Sequence, residues 1–242
     1  MEVHHHPEVE KKGFKEYILE GLMIFLAVLM GFVAENIRES ITEHKRAVEF
    51  AKSYYGDIKK DTLRLHQALR FSAHKIAAAD SVITILSQPE NLRNDTLFYY
   101  KSMVAATIMN FEPSAGNYEQ IKSTGAIRDF KQKMIDLMNQ YDLQARRVIR
   151  RDDIAQKFAT DQLVPFVVAT TNLEVSYDIM TKVKIDHDMH LTWSPTTTRQ
   201  CKNIVVYVKI LTLRSVQEYK KLLLKADDVL AELKKEYDLE DE

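Results

Sequence analysis

The chain has one cysteine, one tryptophan, six glycines and five prolines in 242 residues. A lone Cys201 excludes an intrachain disulfide and any cysteine-rich zinc site, and it leaves the redox compartment open. The scarcity of glycine and proline argues against a sheet with many tight turns and favours long uninterrupted helices. Net charge is also missing: 34 basic residues against 35 acidic ones give −1, which excludes the basic surplus of a nucleic-acid-binding domain. No phosphate loop, dinucleotide fingerprint, zincin helix or serine-nucleophile elbow occurs, so no catalytic residue and no cofactor is implied, and the chain reads as a non-enzyme. With 45% apolar residues, the chain has enough material for a packed core.

One long apolar run is present. From Tyr17 to Ala34 the only charged residue is Glu20, and eighteen helical residues span about 27 Å, close to a hydrocarbon core. Counted only from Gly21, the run would equally suit a buried core helix or a signal peptide. The charged amphipathic continuation "AENIRESITEHKRAVEF" offers no cleavage site, so a membrane anchor is the preferred expectation. Lys11, Lys12 and Lys15 precede the run, whereas Arg38, Lys45 and Arg46 follow it. This asymmetry leans towards a cytoplasmic N-terminus, a single pass, and a periplasmic or extracellular remainder.

Stepping by seven from Glu20 gives Ala27, Ala34, Ile41, Val48, Tyr55, Thr62, Leu69, Ile76 and Ile83. Interleaved with them are Ile37, His44, Ala51, Ile58, Leu65, Ser72, Ala79 and Leu86, which complete a heptad seam. Such a seam serves either as the inner face of a bundle or as a contact between subunits. Within the apolar run, Ala27, Gly31 and Ala34 would let helix backbones approach closely, which points to a homo-oligomer in the lipid bilayer. Glu20 beside them has three readings: a carboxylate reaching headgroup water, a polar contact between packed helices, or the lining of a cation or proton channel.

The expected fold class is all-α, with a transmembrane helix over residues 17–34 after a short His/Lys segment (1–16). It continues into a bundle of about four long helices with coiled-coil-like packing over residues 35–242. The helices are expected near 35–87, 94–111, 117–165 and 195–237. Asn94 or Asp95 caps the second, Gly125 breaks the third, and Ser194-Pro195 opens the last. Residues 166–193 are the least periodic and suit a short strand or an extended connection.

For chemistry, "DHDMH" supplies His187 and His190 with Asp186 and Asp188 as candidate metal ligands, alongside His4 and His6 near the N-terminus. A metal-dependent hydrolase at His187 and His190 is the enzymatic rival; a polar surface loop is the simpler reading. Cys201 reads as core rather than nucleophile. Arg146, Arg147, Arg150 and Arg151 form a basic patch, either for phosphates or as a solvated face paired with Asp152 and Asp153.

Two segments carry a resemblance. "HHHPEVEKKGFKEYILEGLMIFLAVLMGFVAENIRES" (4–40) and "YEQIKSTGAIRDF" (118–130) resemble a family of single-pass membrane-anchored helical proteins widespread in Bacteroidota. The resemblance implies that the His run is native, and that Glu20 and Gly125 occupy motif positions. It carries over no catalytic or binding residue. The function expected from the whole is binding, scaffolding or sensing, with a further protein partner open and the oligomeric channel as the alternative.

Overall fold

The structure, a computed structural model, describes residues 13–114, 116–181, 184–185 and 187–239. The described residues contain no strand. They form α1 (Phe14–Leu86), α2 (Asp95–Ala106), α3 (Gly116–Ser123), α4 (Gln132–Phe158), α5 (Val164–Thr170), α6 (Leu173–Thr181) and α7 (Pro195–Tyr237). The chain divides into two compact units, one up to Glu49 and one from Phe50.

In the first unit, every residue from Gly13 to Arg46 is exposed. This stretch holds the apolar run, whose most apolar eighteen-residue window has a mean hydropathy of 2.2 with none of it buried.

The second unit is built on three long helices: the part of α1 from Phe50, α4 and α7. Ala51, Tyr54, Ile58 and Leu65 of α1 pack with Met134, Met138 and Val148 of α4 and with Leu222, Val229 and Leu233 of α7. A second cluster joins Ala79, Val82 and Leu86 of α1 to Phe98 and Tyr99 of α2, Phe166 of α5, Val175 of α6, Trp193, and Cys201 and Val205 of α7.

The buried face of α1 follows a three-four spacing, but its flank is shifted by one residue from the one expected. Ala51, Ile58, Leu65, Ser72, Ala79 and Leu86 are buried as anticipated. The other flank is Tyr54, Asp61, Ala68 and Val82, with half-buried Lys75 between the last two; of the expected flank, Tyr55 is buried as well, whereas Thr62, Leu69, Ile76 and Ile83 lie at the edge. A carboxylate and an amine therefore occupy seam positions.

Local signals place the helix ends. Asn94 accepts a hydrogen bond from Leu97 N at 2.8 Å, and Ser194 accepts one from Thr197 N at 3.1 Å, with Pro195 in the first turn of α7. Gly125 stands at φ 74°, the left-handed conformation that closes α3. As expected, the third segment breaks at Gly125 into α3 and α4, with a 3₁₀ turn (Ala126–Asp129) between them. Two expectations are corrected. The second helix stops at Ala106 rather than near 111, because the backbone of residues 107–114 bonds to side chains of the bundle. Pro165 does not end the helical path: a π turn (Ala159–Leu163) precedes it, with Val164 N bonded to Ala159 O, and α5 continues beyond. Residues 166–181 therefore hold the rest of α5 and all of α6, and the described residues from there to 193 form an irregular connection, with no strand.

Candidate functional site

The segment joining α2 to α3 is extended and lacks regular backbone hydrogen bonding, so its polar groups must be satisfied elsewhere. Two buried carboxylates do most of this. Asp61 of α1, fully buried, accepts from Ser114 N at 2.9 Å and from the Tyr141 hydroxyl of α4 at 2.7 Å. Asp152 of α4 accepts from Phe111 N at 3.0 Å, from the Tyr219 hydroxyl of α7 at 2.8 Å and from the Ser215 hydroxyl at 3.2 Å. Between them Arg64 donates to Glu112 O and Ser114 Oγ, Asn110 donates to Gln156, and Lys75 donates to Thr107 O at 2.7 Å. Segment 107–114 is thus strapped along its length by α1 and α4, with one tyrosine backing each carboxylate.

The same geometry sets the titration behaviour. Burial raises the Asp152 carboxyl above the usual range, partly offset by the donors from Phe111, Tyr219 and Ser215. Burial lowers the Lys75 amine to about 8, with Asp152 pulling the other way. Both border a small cavity of about 40 Å³ with Tyr219 and Ser215, room for one water. Because the Lys75 pKa falls from about 10.5 unfolded to about 8 folded, its contribution to stability is complete above the unfolded value and is lost as pH falls through 8. Unfolding free energy is therefore expected to rise from about pH 8 to about 9, beyond which the raised Cys201 thiol and then the raised Tyr219 hydroxyl act in the opposite sense. Denaturant titrations across this window should show the rise in wild type and a flatter profile in Lys75→Met.

At the other end of the unit, α2, α5, α6 and α7 enclose an apolar cavity of about 480 Å³. Phe98, Phe166, Trp193 and Val205 form part of its wall, and Leu173 and Met180, both exposed, stand on its lining in α6. Trp193 meets Phe98 edge-on at 5.3 Å and Phe166 at 5.8 Å, and its indole N–H donates to Thr170 O at 2.7 Å. Cys201 lies in the same wall. Burial pushes its thiol up to about 12, the environment of a core side chain rather than a nucleophile.

The other residues singled out by the sequence are dispersed. His187 contacts Asp178 at 2.7 Å and Glu174 at 3.4 Å, both on α6, whereas His190 contacts Asp95 of α2 at 3.1 Å and its own N–H donates to Asp188. The two histidines thus serve different helices, and no group of three metal-ligating side chains with suitable geometry forms among the described residues. His4, His6 and Asp186 lie outside the described residues. Glu20, Ala27, Gly31 and Ala34 are all exposed, and a Cβ built on Gly31 meets nothing within 4 Å. In the arginine patch, Arg146 pairs with Asp142 and Glu119; Asp152, expected on that solvated face, is instead inside the core.

The carboxylate straps and the apolar cavity were both missed by sequence reasoning. Asp61 and Lys75 carried the only available signal, as polar residues interrupting a heptad position. Comparison with protein-family models, curated proteins and solved structures finds no match for the chain.

Proposed function

We propose that this is a single-pass membrane protein whose helical bundle acts by binding, with scaffolding or sensing as the consequence. The observation that carries the reading is the eighteen-residue window of α1: its mean hydropathy of 2.2 with no buried residue is the reverse of a soluble core helix. Phe25, Met30 and Phe32 are each more than 60% exposed, and an apolar surface of that extent calls for lipid or another protein surface. The lysines before the run favour a cytoplasmic N-terminus and a bundle on the outer face of a bacterial inner membrane. A binding role fits the bundle better than catalysis, because Cys201 is buried with its thiol pushed up and the two loop histidines serve different helices.

The test has two arms. After alkaline carbonate washing, the full-length protein should remain in the membrane pellet; release into the supernatant would overturn the anchor. For the homo-oligomer, the mass in native nanodiscs is compared between wild type and Gly31→Leu. Among the described residues nothing crowds position 31, so a smaller assembly in the variant would report a neighbouring helix. An unchanged mass would remove the stripe of Glu20, Ala27, Gly31 and Ala34 as the subunit contact.

A further inference from the structure

We propose that the cavity between α2, α5, α6 and α7 binds one long hydrocarbon chain, the acyl chain of a fatty acid or lipid, with its head group left outside. This deepens the binding reading and is independent of the membrane anchor, since the chemistry of the cavity lies wholly within the second unit.

Size selects one chain. An apolar cavity of about 150 Å³ holds a benzene ring, so 480 Å³ corresponds to roughly 16–20 carbon atoms, enough for one acyl chain and too little for two. Chemistry selects hydrocarbon. Among the described residues, no lysine, arginine, histidine, aspartate or glutamate lines the space. The hydroxyls of Ser102, Thr107 and Thr171 are turned to backbone carbonyls of Tyr99, Met103 and Val167, and the Trp193 N–H is engaged by Thr170 O. Only the Ser176 and Tyr99 hydroxyls remain on the lining, so a charged or strongly hydrogen-bonding ligand would lose more hydration there than it could regain, whereas a methylene chain loses nothing. The exposed Leu173 and Met180 of α6 extend the apolar lining outwards, which suits a flexible chain threading in from the surface.

The sequence provides its own reporter, because the only tryptophan belongs to this wall. Full-length protein in nanodiscs is titrated with dibromostearate, whose bromines quench an indole on contact. Saturable quenching of Trp193, reversed by unbrominated stearate, is expected. Across a series from octanoate to longer chains, competition should strengthen roughly fourfold per methylene and level off near about 16–20 carbons, when the cavity is full. Ser176→Phe, which fills the cavity from a half-buried position on α6, should abolish quenching while circular dichroism stays unchanged.

Absent or non-saturable quenching, a chain-length series with no plateau, or equal quenching in folded Ser176→Phe would overturn the proposal. Should Ser176→Phe fail to fold, wild-type protein decides the matter: quenching of Trp193 must saturate at one dibromostearate per chain, and any other stoichiometry counts against the site. Nanodiscs of brominated phospholipid without free fatty acid identify the source. Quenching there supports the site with a membrane lipid's chain as the occupant, and quenching only by the free acid supports it with a fatty acid. Failure of these tests leaves the carbonate result untouched, so the two readings fall separately.

Discussion

Asp152→Ala is expected to lower the unfolding free energy by about 3–5 kcal/mol, the sum of unsatisfied buried donors at about 1–3 kcal/mol each and a small void. The alanine leaves Phe111 N–H without its acceptor and strands the Tyr219 hydroxyl, which bonds both carboxylate oxygens at 2.8 and 2.9 Å. One term opposes this loss. Burial raises the pKa of Asp152, so its charge is held at a cost that alanine removes. The donors outweigh that relief, because Asp152 anchors both segment 107–114 and α7 to α4. Asp152→Asn separates the two contributions: its side-chain oxygen still accepts from Phe111 N, and the desolvation cost of the charge disappears, so a loss of about 1–2 kcal/mol is expected. The pH dependence also differs. A carboxyl raised in the folded state contributes stability that is lost as pH rises through its folded value, and this slope should be absent in the asparagine variant. Chemical denaturation of the three proteins checks the order; an alanine variant as stable as the asparagine one would show that the straps are dispensable.

The features legible in the sequence are those whose causes are local. Asn94, Gly125 and Ser194-Pro195 act within a few residues of themselves, and each stands where its type predicts. The apolar positions Ala51, Ile58, Leu65, Ala79 and Leu86 likewise announce the buried face of α1. The other flank of that face was misplaced for a physical reason. Asp61 and Lys75 are polar at seam positions, so the pattern is satisfied more simply by their neighbours Thr62 and Ile76. What makes a carboxylate tolerable at position 61 is a tyrosine eighty residues away and a backbone N–H from a separate segment, neither of which periodicity encodes. The continuation past Pro165 was hidden in the same way, since a π turn has no residue signature as sharp as the proline it accommodates. The apolar cavity has no sequence pattern at all. It is the space left where the short helices α2, α5 and α6 close over α7, and its lining residues read individually as ordinary core.

Trp193→Ala should cost about 3–5 kcal/mol, the range for removing a large buried aromatic, and the loss should be local. The indole sits on a connecting segment ahead of α7 and ties α2 and α5 together: Phe98 of α2 and Phe166 of α5 through ring contacts, and the end of α5 through the bond to Thr170 O. Trp193→Phe retains most of the ring packing and forfeits the hydrogen bond, so it should lose about 1–2 kcal/mol, chiefly from leaving Thr170 O unpaired. The buried cluster around Met138 and Leu222 and the one around Trp193 share no residue. Amide exchange in Trp193→Ala should therefore quicken in α2, α5 and α6, while the contact of Met138 in α4 with the cluster around Leu222 in α7 keeps its protection. Acceleration at both ends would mean that the clusters open as one cooperative unit. Confinement to the cavity end would mean that α2, α5 and α6 can loosen over an intact three-helix core, the freedom that a chain entering from the surface would require.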